Sequence, residues 1–395
     1  MVALLAHPYL EACEERKEEF YVVLLLAVLG ALVLVSCTHF ASFFLGLELL
    51  TVSLIIMIGY LRLNNQAVEA GLKYLILATA SSAFMLFGLA LLYYEFGSMG
   101  FGTIGVALRD ETIRDPALVA IGGALLFVGV GYKLAIVPFH MWTPDIYEGA
   151  TAPVTAFVAT APKGAMIAFL FRLFAGAGLS QMSSLVIAVS VLAAASMFVG
   201  NFLALRQDNV KRLLAYSSIS HMGYLLVAVV AGGRMAMGAI GYYIIAYYIT
   251  LLAAVGTISL LSGGQPELMD IEDYRGLFWQ RPGVAAVLAG AMLSLAGIPL
   301  TAGFIGKFLV LTAGVGSTLW TLVILLVANS AIGLYYYLRV TVILFSRREG
   351  EEPLRGRKLT VAGGTVLAVL GILMLFLGVY PAPLLWILHS VGMTM

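Results

Sequence analysis

Charge is scarce in this chain. Of its 395 residues only 11% are charged against 62% hydrophobic, and the formal net charge is +1. Soluble domains carry about 25% charged residues, so the composition excludes a soluble globular protein and points to a polytopic membrane protein. Near-neutrality without a basic stripe speaks against nucleic acid as a partner. Cysteine is nearly absent: Cys13 and Cys37 have no metal-ligand spacing and give no basis for a disulfide framework. Also missing are the dinucleotide-binding glycine fingerprint, a phosphate-binding loop, a cysteine cluster and a paired-histidine haem pattern. The chain is therefore expected to bind no redox cofactor, and any electron transfer falls to partners. The stretch EACEERKEEF ahead of the first apolar run lacks the basic-then-apolar order of a signal peptide, so the bundle itself is expected to be the targeting signal.

What is present is a series of long apolar runs. A spanning helix needs about 20 apolar residues. On that measure the chain reads as all-α with about eleven spans: Phe20–Cys37, Phe40–Leu61, Val68–Tyr94, Ala117–Tyr147, Pro153–Phe174, Leu185–Leu205, Leu213–Val230, Ala236–Leu261, Pro282–Ala313, Leu319–Phe345 and Leu359–Val379. Residues 1–19 read as an N-terminal segment, 20–379 as the transmembrane bundle and 380–395 as a C-terminal tail. Two of the spans, Ala117–Tyr147 and Pro282–Ala313, are too long for one straight crossing, and each holds a proline (Pro138, Pro299), glycines and one lysine. Proline removes a backbone donor and kinks or ends a helix, so both read as broken helices. Glycine- and proline-interrupted segments in corresponding halves are the mark of an inverted-repeat transporter.

Basic residues sort unevenly. One face collects Arg16, Lys17, Arg62, Arg206, Lys211, Arg212, Arg275, Arg281, Arg347, Arg348, Arg355, Arg357 and Lys358; the other has Arg109, Arg114, Arg172 and Arg234. The positive-inside rule makes the first face, with the N-terminus, cytoplasmic and leaves the C-terminus outside. Lys73, Lys133, Lys163, Lys307 and Arg339 fall within spans. A lysine at membrane depth costs roughly 2.5–3.5 kcal/mol on insertion scales. Lysine, unlike arginine, sheds its proton readily when buried, so this stock of lysines suits proton loading and release.

Each buried charge has a plain reading beside the functional one. Glu48, in GLELLTVS, is either a protonated acid bonding a neighbouring helix or the partner of Lys133, whose hold on a proton would change as the two move together or apart. Lys163, in ATAPKGAMI, either snorkels to the interface or stands as a mid-membrane relay, and Lys307 follows the break at Pro299 as a last relay. Lys73 lies i+4 from Glu69, a spacing that commonly gives an ordinary local pair. His140 and His221 are either satisfied polar histidines or relays titrating near neutral pH; His221, in SSISHMGYLL with Ser217, Ser218, Ser220 and Tyr224, is the better relay candidate. Asp145 and Glu148, in TPDIYEG, read as loop structure or helix capping.

The segments PFHMWTPDIYEGATAPV, KRLLAYSSISHMGYLL, MLSLAGIPLTAGFIGKF and GLYYYLRV resemble the antiporter-like membrane subunits of respiratory complex I. The lysine of ATAPK and the presence of Lys307 favour the subunit N branch of bacterial NADH–quinone oxidoreductases. The resemblance implies two inverted repeats, each with a broken helix, and a charged axis through Glu48, Lys133, Lys163 and Lys307. It implies no cofactor on this chain, with flavin, iron–sulfur clusters, NADH and quinone in partner subunits and other complex I membrane subunits as neighbours in a bacterial inner membrane. The first three spanning helices of that branch have no counterpart before Met1, which implies a truncated, late-started or naturally short form. A Na⁺/H⁺ antiporter subunit or a hydrogenase membrane subunit is the alternative within the same ancestry.

Overall fold

A computed structural model describes residues 1–13, 17–110, 113–179, 182–262, 267–347 and 360–392. Basic residues Arg16, Arg348, Arg355, Arg357 and Lys358, used above for orientation, lie outside them, as does the first residue of the span expected at Leu359–Val379. The described residues are helical in the order α1 (Val2–Ala12), α2 (Lys17–Ser36), α3 (Phe40–Ile58), α4 (Asn65–Phe96), α5 (Phe101–Arg109), α6 (Pro116–Leu134), α7 (Trp142–Gly149), α8 (Ala152–Val158) and α9 (Ala161–Gly176). There follow α10 (Ser183–Ala204), α11 (Val210–Ala231), α12 (Gly233–Ser262), α13 (Leu277–Gln280), α14 (Pro282–Ala296), α15 (Ala302–Gly316), α16 (Trp320–Phe345), α17 (Val361–Val379) and α18 (Ala382–Gly392).

Local chemistry sets many of these ends. The Asp115 side chain accepts from the backbone N–H groups of Ala117 and Leu118, and Pro116 opens α6 where a missing donor costs nothing. The Asn209 side chain does the same for Lys211 and Arg212 at the start of α11. At the other end of α4, buried Glu95 accepts from the Arg114 and Asp115 N–H groups and ties that helix to the entrance of α6.

Among the described residues ten candidate spans, counting α8 and α9 together, are long and apolar enough to cross a membrane, and α14 and α15 are two shorter apolar helices. The chain is a multi-pass membrane protein. Burial runs opposite to polarity. On α2, Val22, Leu25 and Leu32 are exposed, as lipid-facing side chains are. The polar helix α11 is buried along nearly its whole length, with Lys211, Ser217, Ser218, Ser220, His221 and Tyr224 all inside. In hydrocarbon a polar side chain has to face the bundle interior. Small residues let helices close: a Cβ on Gly88 of α4 would stand 2.6 Å from the Gly122 carbonyl of α6, so only glycine permits that crossing.

One end of the bundle is held by charge. Lys73 pairs with Glu69 at 2.8 Å and Asp145 at 3.2 Å, and Arg212 joins Asp145 at 3.0 Å to Glu148 at 2.6 Å. Arg339, placed by sequence within a span, reaches Asp208 at this same end. Lys211, counted above among the basic residues of one face, is fully buried. Its ammonium donates to the Ala150 carbonyl and to Glu267 at 2.6 Å each, with side-chain exposures of 0% and 3% for the pair. Glu267 also accepts from the Ala152 N–H at 2.8 Å and the Tyr9 hydroxyl at 2.7 Å, so this pair joins α7, α8, α11 and α1. Asn209 caps α11 beside it, its side-chain oxygen accepting from the Lys211 N–H at 2.9 Å.

Removing one partner of a buried ion pair costs about 3–5 kcal/mol because the other charge is stranded. Lys211→Met should therefore lower the melting temperature of the purified protein clearly. Adding Glu267→Gln, which removes the stranded charge but keeps the acceptor oxygen, should recover part of the loss in the same melting assay.

Candidate functional site

The first broken helix forms as its sequence predicts. α6 stops at Ala135, which takes the left-handed conformation (φ 59°), and the Ile136 N–H turns back to the Gly131 carbonyl at 3.0 Å. Pro138 then prevents the helix from resuming. Backbone groups freed at this depth need partners: Ser196 of α10 accepts from the Val137 N–H at 3.0 Å, and the Trp142 indole donates to the Tyr132 carbonyl at 2.9 Å. Lys133 thus sits in the last turn of a half-helix, at the negative end of its dipole. Its ammonium donates to Thr51 at 2.6 Å and lies 5.4 Å and 5.6 Å from the ring centres of Tyr74 and Tyr132.

Glu48 stands one turn from Thr51 on α3 and accepts from Ser82 of α4 at 2.6 Å. Among the described residues no ion pair joins Glu48 to Lys133; each is bonded to a hydroxyl, and α3 carries both Glu48 and the Thr51 that Lys133 reaches. A small cleft lined by Thr51, Tyr74, Lys133, Trp142 and Pro162 leads from Lys133 toward α9, with room for about one water.

Lys163 is only 1% exposed, which excludes snorkelling within this chain. Sequence suggested one continuous span here, yet the helix is interrupted between α8 and α9 at Thr160 (φ −115°, ψ −84°), one residue before Ala161 and Pro162. The signal was the proline of ATAPK, masked by an apolar run long enough to cross unbroken. The Lys163 ammonium donates to Ser218 of α11 and lies 5.3 Å from the ring centre of Tyr147 and 6.0 Å from that of Trp142. Tyr147 shares Ser218 at 3.3 Å. Trp142 also packs on Tyr74 and Tyr132, so one indole touches the surroundings of both lysines.

His221 is one helical turn along α11 from Ser217 and Ser218. Its Nδ1 meets the Tyr243 hydroxyl at 2.7 Å and its Nε2 the Tyr337 hydroxyl at 3.1 Å, while Tyr337 is bonded in turn to Ser217. A neutral imidazole has one donor and one acceptor nitrogen, so one tyrosine donates and the other accepts, and exchanging these roles moves a proton across the ring. Lys307 lies beyond the second break. There Gly297 (φ 85°) ends α14, the Ile298 N–H returns to the Leu293 carbonyl at 3.0 Å, and Leu300 takes φ 71°. The Lys307 ammonium donates to the freed Ala296 carbonyl and to Ser330, both at 2.9 Å, 5.3 Å from the Tyr224 ring centre.

None of these three lysines is hydrogen-bonded or ion-paired to a carboxylate among the described residues, although the Glu48 charge acts on Lys133 across space. A hydroxyl or carbonyl oxygen can accept from a neutral amine as well as, more strongly, from an ammonium, so the surroundings leave either form of the lysine a hydrogen-bond partner. Other candidates stand apart. Lys73 and Glu69 belong to the ionic end described above. His140, in the turn between α6 and α7, is buried with its Nδ1 unbonded within the protein. The tyrosines were missed by sequence reading: GYYIIAYYI and LYYYL supply Tyr243 and Tyr337, but an aromatic residue in an apolar helix carries no mark that separates a hydrogen-bonded hydroxyl from packing. Nor do the described residues contain a cluster of His, Cys, Asp and Glu fit to hold a metal.

The family described as "NADH:quinone oxidoreductase/Mrp antiporter, TM" matches residues 37–333, which include Glu48, Lys133, Lys163, His221 and Lys307. The chain belongs to that family. It is an antiporter-like membrane subunit of the kind shared by complex I, Mrp antiporters and related membrane-bound complexes. A chain of respiratory complex I from Thermus thermophilus, solved with bound aureothin, is 33% identical, with a TM-score of 0.81 over 97% of this chain and 85% of that one. A chain of the archaeal membrane-bound sulfane sulfur reductase is 26% identical, with a TM-score of 0.83 over 96% and 76%. One from the Mrp complex of Dietzia sp. DQ12-45-1b shares the fold at 20% identity, with a TM-score of 0.86 over 99% and 80%.

A buried lysine without a counter-ion is costly to the fold. Lys163→Met should therefore leave the melting temperature of the purified protein unchanged or higher, whereas Ser218→Ala, which strands the amine, should lower stability by about 1–3 kcal/mol. A marked loss in Lys163→Met would make Lys163 a packing residue.

Proposed function

We propose that this chain is the subunit N-type proton-translocating subunit of a bacterial NADH–quinone oxidoreductase. The observation that carries the reading is the row of buried amines, each bonded to hydroxyl or carbonyl oxygens and none to a carboxylate. The 33% identity to a complex I chain across 97% of this one supports complex I over its relatives. The chain carries no redox chemistry. NADH, flavin, iron–sulfur clusters and quinone belong to partner subunits, and neighbouring membrane subunits transmit the conformational drive.

In the proposed path Glu48 gates Lys133. With Glu48 turned to Ser82 and Lys133 to Thr51, the two groups are apart; bringing them together holds the lysine's proton, and parting them releases it. The released proton moves through the cleft beneath Trp142 to Lys163 and its partner Ser218, crosses to the neighbouring Ser217–Tyr337 pair that meets His221, and goes on to Lys307 at the outer half. The ionic end carrying Asp145, Arg212 and the Lys211–Glu267 pair faces the cytoplasm of a bacterial inner membrane. The bundle of residues 20–379 performs the transport.

Assembled complexes carrying Lys133→Ala or Lys163→Ala, reconstituted in vesicles and supplied with NADH and quinone, should pump protons at a small fraction of the wild-type rate. Undiminished pumping in both variants would sink the assignment. Gentle detergent purification separates complex I from an antiporter: peripheral flavin and iron–sulfur partners should accompany the chain.

A further inference from the structure

Lys163 stands just past a joint that α9 does not secure by itself. Thr160 opens the helix without a side-chain cap, because its hydroxyl turns back to the Ala156 and Phe157 carbonyls at 2.6 Å and 3.2 Å. Pro162 brings no N–H to the first turn. The position of that turn is therefore left to its neighbours. One hold comes from α11, where Ser218 accepts from the Lys163 ammonium. This hold weakens whenever the lysine gives up its proton, since a hydrogen bond to a charged group is roughly twice as strong as a neutral one.

A second hold, independent of the lysine's charge, comes from α12. The half-buried Tyr248 donates its hydroxyl to the Ala161 carbonyl at 3.3 Å. A carbonyl has two lone pairs, so this bond need not displace a helical one. The hydroxyl reaches its acceptor because residue 164 is glycine. A Cβ there would overlap the Tyr248 hydroxyl and stand 2.7 Å from its Cζ and 3.0 Å from Ile244 Cγ2. Ile244 and Tyr248 are one turn apart, so a single face of α12 closes on Gly164. The acceptor at 161 and the notch at 164 bracket Lys163 within one helical turn.

We propose that Tyr248 is a positioning residue for Lys163: its hydroxyl, seated in the Gly164 notch, fixes the first turn of α9 against α12 and so keeps the amine on Ser218. The consequence for pumping rests on the proton-translocation reading above; the positioning does not. Tyr248 itself neither gives nor takes a proton. The titratable groups near the amine are Tyr147 on α7, His221 on α11, which feels the lysine's charge, and Tyr247 on α12, which faces the same Ser218. Without the Tyr248 hydroxyl the turn is free to rotate, and the amine loses its seat on Ser218. The charged amine gains most from that seat, so its proton is then held less firmly.

The test compares assembled complexes carrying Tyr248→Phe, Gly164→Ala and, as a control, Tyr242→Phe, which removes another α12 hydroxyl, bonded to the Leu377 carbonyl at 2.6 Å. Gly164→Ala keeps the tyrosine and displaces it, so either of the first two variants suffices if the other fails to assemble. Proton pumping per assembled complex is measured against pH, and cryo-EM maps show whether Lys163 still reaches Ser218. In Tyr248→Phe and Gly164→Ala the contact should be lost. The alkaline limb of the profile should move to lower pH by about one unit, a tenfold weaker hold on the proton. Tyr242→Phe should leave both unchanged. An intact Lys163–Ser218 contact in the first two variants, or an equal shift in Tyr242→Phe, overturns the positioning. A lost contact with an unshifted profile upholds the positioning and overturns the transport role of Lys163.

Discussion

An amine at membrane depth with no carboxylate bonded to it is the constraint around which this bundle is built. Such a group needs an acceptor for its N–H bonds, a low exposure to lipid and a backbone that can supply free polar atoms nearby. The chain meets all three by interrupting helices where the lysines stand. Lys133 ends α6, Lys163 lies in the first turn of α9 just past Thr160, and Lys307 reaches back to the carbonyl that the end of α14 leaves free. Each interruption is tolerated because neighbouring side chains absorb its loose backbone groups, as Ser196 and Trp142 do at the first break. Charge, break and burial are one feature seen three times.

The second consequence is the inversion of polarity across the bundle. Apolar faces such as that of α2 look outward, and the polar helix α11 runs through the middle, where Ser218 serves Lys163 and His221 meets two tyrosines. Fixed ion pairs are kept to one end. There Lys211 and Glu267 are matched completely, and Arg212 links Asp145 to Glu148. Matched pairs hold position, while unmatched amines can change protonation at little structural cost, so the two kinds of charge divide the labour between scaffold and transport.

Much of this was legible in the residues. Hydropathy placed the spans, and a lysine and a proline within one overlong apolar run marked both breaks, because charge and helix-breaking are each too costly in hydrocarbon to occur idly. Three things were not legible. The α8–α9 interruption hid inside an apolar run that needed no break to cross. Lys211 read only as one basic residue of a face, because its burial depends on Glu267, 56 positions away in sequence. The tyrosine hydroxyls around His221 come from α12 and α16, and sequence alone cannot say which of several aromatic residues turns inward to meet a given histidine.

The central claim is that Lys163 works by gaining and losing a proton rather than by carrying a permanent charge. Arginine keeps its charge under all accessible conditions, so Lys163→Arg separates the two roles. Proton pumping by reconstituted complexes bearing Lys163→Arg, normalised to the amount of assembled complex, is the direct measurement. The account predicts that pumping is lost although the positive charge remains; pumping at the wild-type rate would contradict it.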